Sequence, residues 1–114
     1  YLVDSYGISS KFYDLSKVTF VGGSLIPHGG QNPLEPARYG NTIISGPYVH
    51  NFKEIYSFLS NKKISITTSN IVKMEEIIIK KLSKKINSQK IKIINQIGKR
   101  ILDKNMFYIN KYIK

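Results

Sequence analysis

The chain has 114 residues, a formal net charge of +11 and no cysteine. That length allows one small domain with its own core, and the missing thiols exclude a disulfide framework, a thiolate zinc site and a cysteine nucleophile. No run of about 20 consecutive apolar residues occurs, so nothing in the sequence reads as a membrane-spanning helix.

The charge is unevenly spread. Up to Asn70, six bases face four acids; beyond it, twelve bases face three acids. A basic C-terminal part suits an anionic membrane, a nucleic acid or an acidic partner. A lysine-rich, solvated helix surface is the plainer explanation. The chain starts at once with apolar Tyr1-Leu2-Val3, which reads as the end of a strand. It is therefore expected to be a segment of a longer protein, with functional groups upstream.

Ser9 to Leu15 reads as a short helix, with Phe12 and Leu15 three apart. Val18 to Val21 is β-branched and aromatic and is bounded by Gly22-Gly23, so it predicts a buried strand. Asn32 to Tyr39 predicts a helix with Asn32 as N-cap, Pro33 in the first turn and Gly40 as the stop. Thr42 to Ser45 is the next strand. Asn51 to Asn61 carries Phe52, Ile55, Tyr56 and Leu59 at helical spacing, with Asn51 as its possible cap. Ile64 to Thr67 alternates like a strand. Ser69 or Asn70 caps a helix running to about Lys85. After a break at Asn87-Ser88, residues from about Gln89 to Tyr112 place Ile94, Ile97, Ile101, Asn105, Tyr108 and Tyr112 on one stripe. The alternation of strands and helices with short connections predicts a single α/β domain over residues 1–114, built on a parallel sheet with flanking helices.

Parallel α/β sheets bind ligands at the carboxyl ends of their strands. Two loops leave such ends here. The first, Val21 to Pro36, holds four of the eight glycines, as the pairs Gly22-Gly23 and Gly29-Gly30. Paired glycines admit positive φ and a close approach of backbone to ligand. The helix that follows offers N–H groups at its start, which favour phosphate. Glu35, in the first turn of that helix, is placed to accept hydrogen bonds from paired sugar hydroxyls. An ordinary tight βα turn with a helix-capping Glu also explains these residues. The second loop, Ser45 to Phe52, brings Asn51 to the same cleft. His28 and His50 lie in the two loops, where each suits either a donor contact or simple exposure. No Cys or His cluster has metal-ligand spacing, so no metal or cofactor is expected. Neither a phosphate-binding Gly-x-x-x-x-Gly-Lys-Ser/Thr loop nor a Gly-x-Ser-x-Gly nucleophile turn occurs.

Four segments in register carry a resemblance. They are Val21-Gly22-Gly23-Ser24-Leu25, the run from His28 to Arg38, Ser45-Gly46-Pro47, and Asn51-Phe52-Lys53-Glu54-Ile55. With Val3-Asp4-Ser5-Tyr6-Gly7 upstream, this order and spacing resemble the 3-deoxy-D-manno-octulosonic acid (Kdo) transferases of lipopolysaccharide synthesis, densely from about Leu2 to Tyr56. The resemblance implies the Rossmann-like C-terminal half of a two-domain GT-B glycosyltransferase. Such an enzyme transfers Kdo from CMP-Kdo to a lipid A precursor, without a metal, at the cytoplasmic face of the bacterial inner membrane. The N-terminal domain, with the acceptor site and the catalytic base, is expected outside this chain. Residues from about 89 to 114 are expected to include a helix that packs on that domain.

By position, Asn32, Pro33, Leu34 and Glu35 match the family's CMP-binding helix start. Tyr6, Gly7 and Ile8 match a second CMP contact. The family often has Gly-Glu at Gly7-Ile8, so a contact at Ile8 would be a backbone one. Gly22, Gly23, Ser24, His28, Gly29, Gly30 and Asn51 are further candidate loop contacts. No residue of the chain stands out as the base that activates the acceptor hydroxyl. The competing reading is a basic α/β module that binds membrane or nucleic acid without catalysis. No nucleic-acid motif accompanies the charge, so no nucleic-acid partner is expected.

Overall fold

The structure is a computed structural model. It describes residues 7–84, together with Leu2 and the positions 92, 94–96, 99, 100, 103, 106 and 107. Tyr1 and Val3 of the expected strand end, the break at Asn87-Ser88 and most of the last helical stripe lie outside the described residues; Leu2 is exposed and in no strand. The nine positions from 92 to 107 that are described are helical.

In chain order the elements are α1 (Ser9–Leu15), β1 (Val18–Phe20), α2 (Leu34–Arg38), β2 (Thr42–Ser45), a 3-10 turn (His50–Phe52), α3 (Lys53–Asn61), β3 (Ser65–Thr67) and α4 (Ile71–Leu82). The three strands form one sheet in the order β1-β2-β3, parallel throughout. Val18 pairs with Thr42, and Ile43 with Ser65. Helices α3 and α4 pack beside β3 and β1, and α2 touches both α1 and β2. This is the Rossmann-like α/β arrangement that the alternation of elements implies.

β2 is the middle strand, and Ile43, Ile44 and Ser45 are each fully buried. A parallel strand covered on both faces has no solvent side, which is why Thr42 to Ser45 shows no polar alternation. Around it, Val21, Ala37, Ile43, Tyr56, Leu59, Ile64 and Ile94 form the core, with Val49, Phe52, Ile55 and Phe58 packed against it. Ile94 belongs to the segment expected to pack on a second domain, yet it is buried in this one. Ile97, Ile101, Asn105, Tyr108 and Tyr112 of the same stripe lie outside the described residues.

Several element ends differ from the sequence reading. The helix expected from Asn32 begins at Leu34, because Pro33 is itself the cap, with helical φ −86° and ψ −4°. Asn32 still serves that end: its Oδ1 accepts the Leu34 N–H at 3.0 Å. Gly40 follows the helix at φ +81°, the left-handed position a C-terminal stop requires. Asn51 does not cap the next helix; a 3-10 turn over His50–Phe52 intervenes and α3 starts at Lys53 without a side-chain cap. Of the two residues that could cap α4, Asn70 does so, its Oδ1 accepting the Lys73 N–H at 3.0 Å. The helix ends at Leu82, short of Lys85. Its terminal Leu82 carbonyl accepts from Lys17 Nζ at 2.9 Å, a cation at the negative end of the helix.

One buried polar residue ties the first half together. Asn41, 1% exposed, accepts from Thr19 Oγ1 at 3.0 Å and donates through Nδ2 to the Tyr13 carbonyl at 2.7 Å. It thereby joins α1, β1 and the turn before β2. Asn41→Ala removes both bonds at once; the Tyr13 carbonyl keeps the Ser16 N–H, and the Thr19 hydroxyl loses its acceptor. The expected loss of stability is about 1–3 kcal/mol, read as a lowered urea midpoint with an unchanged slope.

Candidate functional site

The loops after β1 and β2 rise side by side from the carboxyl edge of the sheet. They are seamed together by Ser24, which is fully buried. Its hydroxyl donates to the Val21 carbonyl at 2.6 Å and accepts the Gly46 N–H at 2.9 Å. Its own carbonyl accepts the Tyr48 N–H at 2.9 Å. Gly46 leaves no room for a side chain, since a Cβ there would overlap the Ser24 carbonyl. Ser24, expected as a loop contact, therefore acts beneath the loop and not on its outer surface. Pro33 is likewise fully buried.

A second seam joins the loop tips. Gly29 (φ +100°) and Gly30 (φ +74°) both take left-handed backbone, as paired glycines allow. The Asn51 carboxamide fills the space a Cβ of Gly29 would need. Asn51 N–H donates to the Gly29 carbonyl at 3.2 Å, and Nδ2 reaches the His28 carbonyl at 3.4 Å. In the first pair only Gly23 is left-handed, and its N-terminal neighbour Gly22 is exposed. Both His28 and His50 are exposed. Asn51 does come to the cleft, as expected, but its side chain is spent on holding the first loop.

The other motif residues gather where α1 meets α2. Gly7 is exposed at φ +81°, and Ile8 is half-buried at the cap of α1. Next to them, Ser9 Oγ donates to Glu35 Oε1 in a long hydrogen bond of 3.4 Å. The segment 7–9 and the start of α2 are thus neighbours; Tyr6 lies outside the described residues. Glu35 is exposed and, with Arg38, Tyr39 and Asn95, lines a hollow of about 380 Å³. Tyr13 stands by Tyr39 with ring centroids 6.2 Å apart. Burial, and secondarily the Glu35 charge, raise the Tyr13 phenol above its usual pKa. A further hollow of about 380 Å³ lies over residues 50–55. Among the described residues no group of three or more His, Cys, Asp or Glu is placed to hold a metal ion.

The helix start offers fewer N–H donors than its sequence position suggests. The Leu34 N–H is taken by Asn32, and Pro33 and Pro36 have none. At five residues α2 also has little dipole to offer. The polar groups left at this end are the exposed Glu35 carboxylate and the neighbouring loop backbone.

Four contributors are not legible in the sequence. Ser9 reads only as a helix residue, Arg38 and Tyr39 have no assigned role, and Tyr56 reads only as a member of an apolar stripe. The Tyr56 hydroxyl donates to the Gln31 carbonyl at 3.2 Å, and burial pushes its pKa up to about 12. No periodicity signals such a bond, because it depends on where the loop crosses the helix.

The Ser24 seam can be tested from both sides. Ser24→Ala strands the buried Gly46 N–H and should cost about 1–3 kcal/mol. Gly46→Ala drives a methyl into backbone and should cost more than Ser24→Ala. Thermal unfolding of the two variants measures the order.

No protein-family model matches the chain. Individual relatives do. A bifunctional glycosyltransferase/methyltransferase of Fusobacterium nucleatum is 40% identical over 70 residues, which is 61% of this chain and 11% of the relative. A 3-deoxy-D-manno-octulosonic acid transferase of Haemophilus influenzae is 47% identical over 58 residues, 51% of this chain and 14% of the relative. A transferase of the same name from Rickettsia bellii is 28% identical over 100% of this chain and 27% of its own length. Among solved structures, the C-terminal CMP-Kdo binding domain of WaaA from Acinetobacter baumannii superposes with a TM-score of 0.68 at 31% identity, over 87% of this chain and 51% of that one. The chain thus spans between 11% and 27% of these three curated relatives. By sequence and by fold together, it corresponds to a C-terminal domain segment of the 3-deoxy-D-manno-octulosonic acid transferases.

Proposed function

We propose that this domain binds CMP-Kdo and serves the transfer of Kdo to a lipid A precursor, as part of a two-domain GT-B glycosyltransferase. The observation that carries the reading is Glu35. Its carboxylate is exposed at the hollow it lines with Arg38, Tyr39 and Asn95, and it accepts from Ser9 beside Gly7 and Ile8, in a domain 31% identical to one described as binding CMP-Kdo. A carboxylate accepts two hydrogen bonds from a cis-diol, so Glu35 suits a ribose. We assign the remaining donor contacts to backbone of the Gly29-Gly30 loop and of Gly7-Ile8. The general base is assigned to a part of the enzyme outside these residues, since both loop histidines are exposed and among the described residues no carboxylate orients either.

Calorimetric titration with CMP tests the site. Glu35→Ala should weaken binding about tenfold or more, the cost of losing hydrogen bonds to a charged group. Asn32→Ala should weaken it less, by loosening the start of α2. The same chain, given CMP-Kdo and acceptor, should bind the donor and transfer no Kdo. Binding untouched by both substitutions would sink the assignment.

We also propose a peripheral contact with the anionic cytoplasmic face of the inner membrane. Helix α4 exposes Ile71, Val72, Ile79 and Leu82, with Lys73, Lys80 and Lys84 exposed on the same helix and its end. Apolar side chains flanked by lysines suit a headgroup layer. Co-sedimentation with vesicles containing anionic phospholipid should fall when Lys80, Lys81, Lys84 and Lys85 are changed to Gln. Unchanged co-sedimentation would remove the proposal.

A further inference from the structure

We infer that Tyr56 is a positioning residue for nucleotide binding: its hydroxyl turns the Gln31–Asn32 peptide so that the Asn32 N–H faces the ligand. The inference rests on the CMP-binding reading above and deepens it.

The argument starts from planarity. In a trans peptide the C=O and the next N–H point in opposite directions. The Tyr56 hydroxyl, reaching up from the core, holds the Gln31 carbonyl at 3.2 Å. The Asn32 N–H must then point away from α3, toward the outside of the loop. Asn32 is exposed, and among the described residues nothing accepts from its N–H. This donor sits three residues before Glu35.

Tyr56 is suited to the task by its burial. The residue is 4% exposed, with its ring in the core and only the phenol tip at the loop. Burial holds its pKa at about 12, so the hydroxyl remains a donor throughout the physiological range. The same stretch of chain grips the loop twice more, through Asn51 on the carbonyls of Gly29 and His28. Carbonyls 28, 29 and 31 are therefore all bonded from the stretch 51–56, and the peptide before Asn32 takes its orientation from Tyr56 within it. The inverse preference follows: a nucleotide phosphate or sugar oxygen on the outer side meets an N–H instead of a carbonyl oxygen.

Tyr56→Phe removes the hydroxyl and keeps the ring. CMP affinity, measured well below the unfolding temperature, should fall about fivefold, the worth of one ordinary hydrogen bond. Hydrogen exchange should accelerate at amides 30–35 and stay unchanged across β2 and β3. A role in packing alone would lower the unfolding temperature and leave both readouts unmoved, and that result overturns the inference. Glu35→Ala is the reference for the parent reading. CMP binding lost in Glu35→Ala but intact in Tyr56→Phe sinks the positioning role and spares the nucleotide site. Absence of CMP binding by the unaltered chain removes the nucleotide site. In that case the exchange at amides 30–35 still decides whether Tyr56 sets this peptide.

Discussion

Parallel pairing of β2 along both of its edges sets where the other elements can lie. Every strand then ends at the same edge of the sheet, and the loops after β1 and β2 emerge about 4.8 Å apart, one strand spacing. The core enforces the pairing: Ile43 and Ile44 have no exposed face, so the strand has no alternative register that keeps them dry. Polarity changes where the strand stops. Ser45, still fully buried, shares a hydrogen bond of 3.3 Å with Thr67 Oγ1 on β3. The residue after it is Gly46, where the loop seam begins. The transition from core to cleft is thus one residue wide.

The cleft above that edge is built in two mechanical regimes. Its floor is over-determined, with Ser24, Asn51 and Tyr56 each fixing backbone by hydrogen bonds from below. A floor of this kind needs little reordering when a ligand arrives, which lowers the entropic cost of binding. The wall at α1 and α2 is different. Glu35 is tied there only by a long bond to Ser9, and its carboxylate stays in water. A side chain held this loosely can rotate to meet paired hydroxyls. The division would match fixed backbone to the invariant parts of the proposed nucleotide sugar and the freer side chain to its directional contacts.

Much of the fold was legible in the sequence. The Ser9–Leu15 helix and the Thr42–Ser45 strand end where the residues say they should, because both are bounded by strong local signals. The parallel α/β class followed from alternation alone. Errors fell at ends governed by tertiary contacts. Asn51 has the chemistry of a helix cap, yet the first loop claims its carboxamide, and α3 starts later without one. Asn32 does bond the start of α2, but from one residue further out, since Pro33 already holds helical angles. The site was legible as a set of motif segments and not as a geometry. Glycine pairs announce where backbone will bend. They do not announce that Ser24 lies underneath the bend, or that a core tyrosine bonds the carbonyl before Asn32. Those facts depend on which side chain lies below which carbonyl, and composition does not encode that.

The absence of a side chain at position 46 has a meaning for exchange between relatives. Gly46 belongs to the second loop, but its shape is dictated by the Ser24 carbonyl in the first. The two loops are therefore one inherited unit, although 22 residues separate the contact in sequence. A glycine loop transplanted into another scaffold without its 46–51 counterpart would carry a buried hydroxyl without the N–H it accepts and a carbonyl with nothing made to clear it. Recombination that splits the chain between Arg38 and Thr42 looks harmless on the strand diagram. It cuts through the middle of that unit.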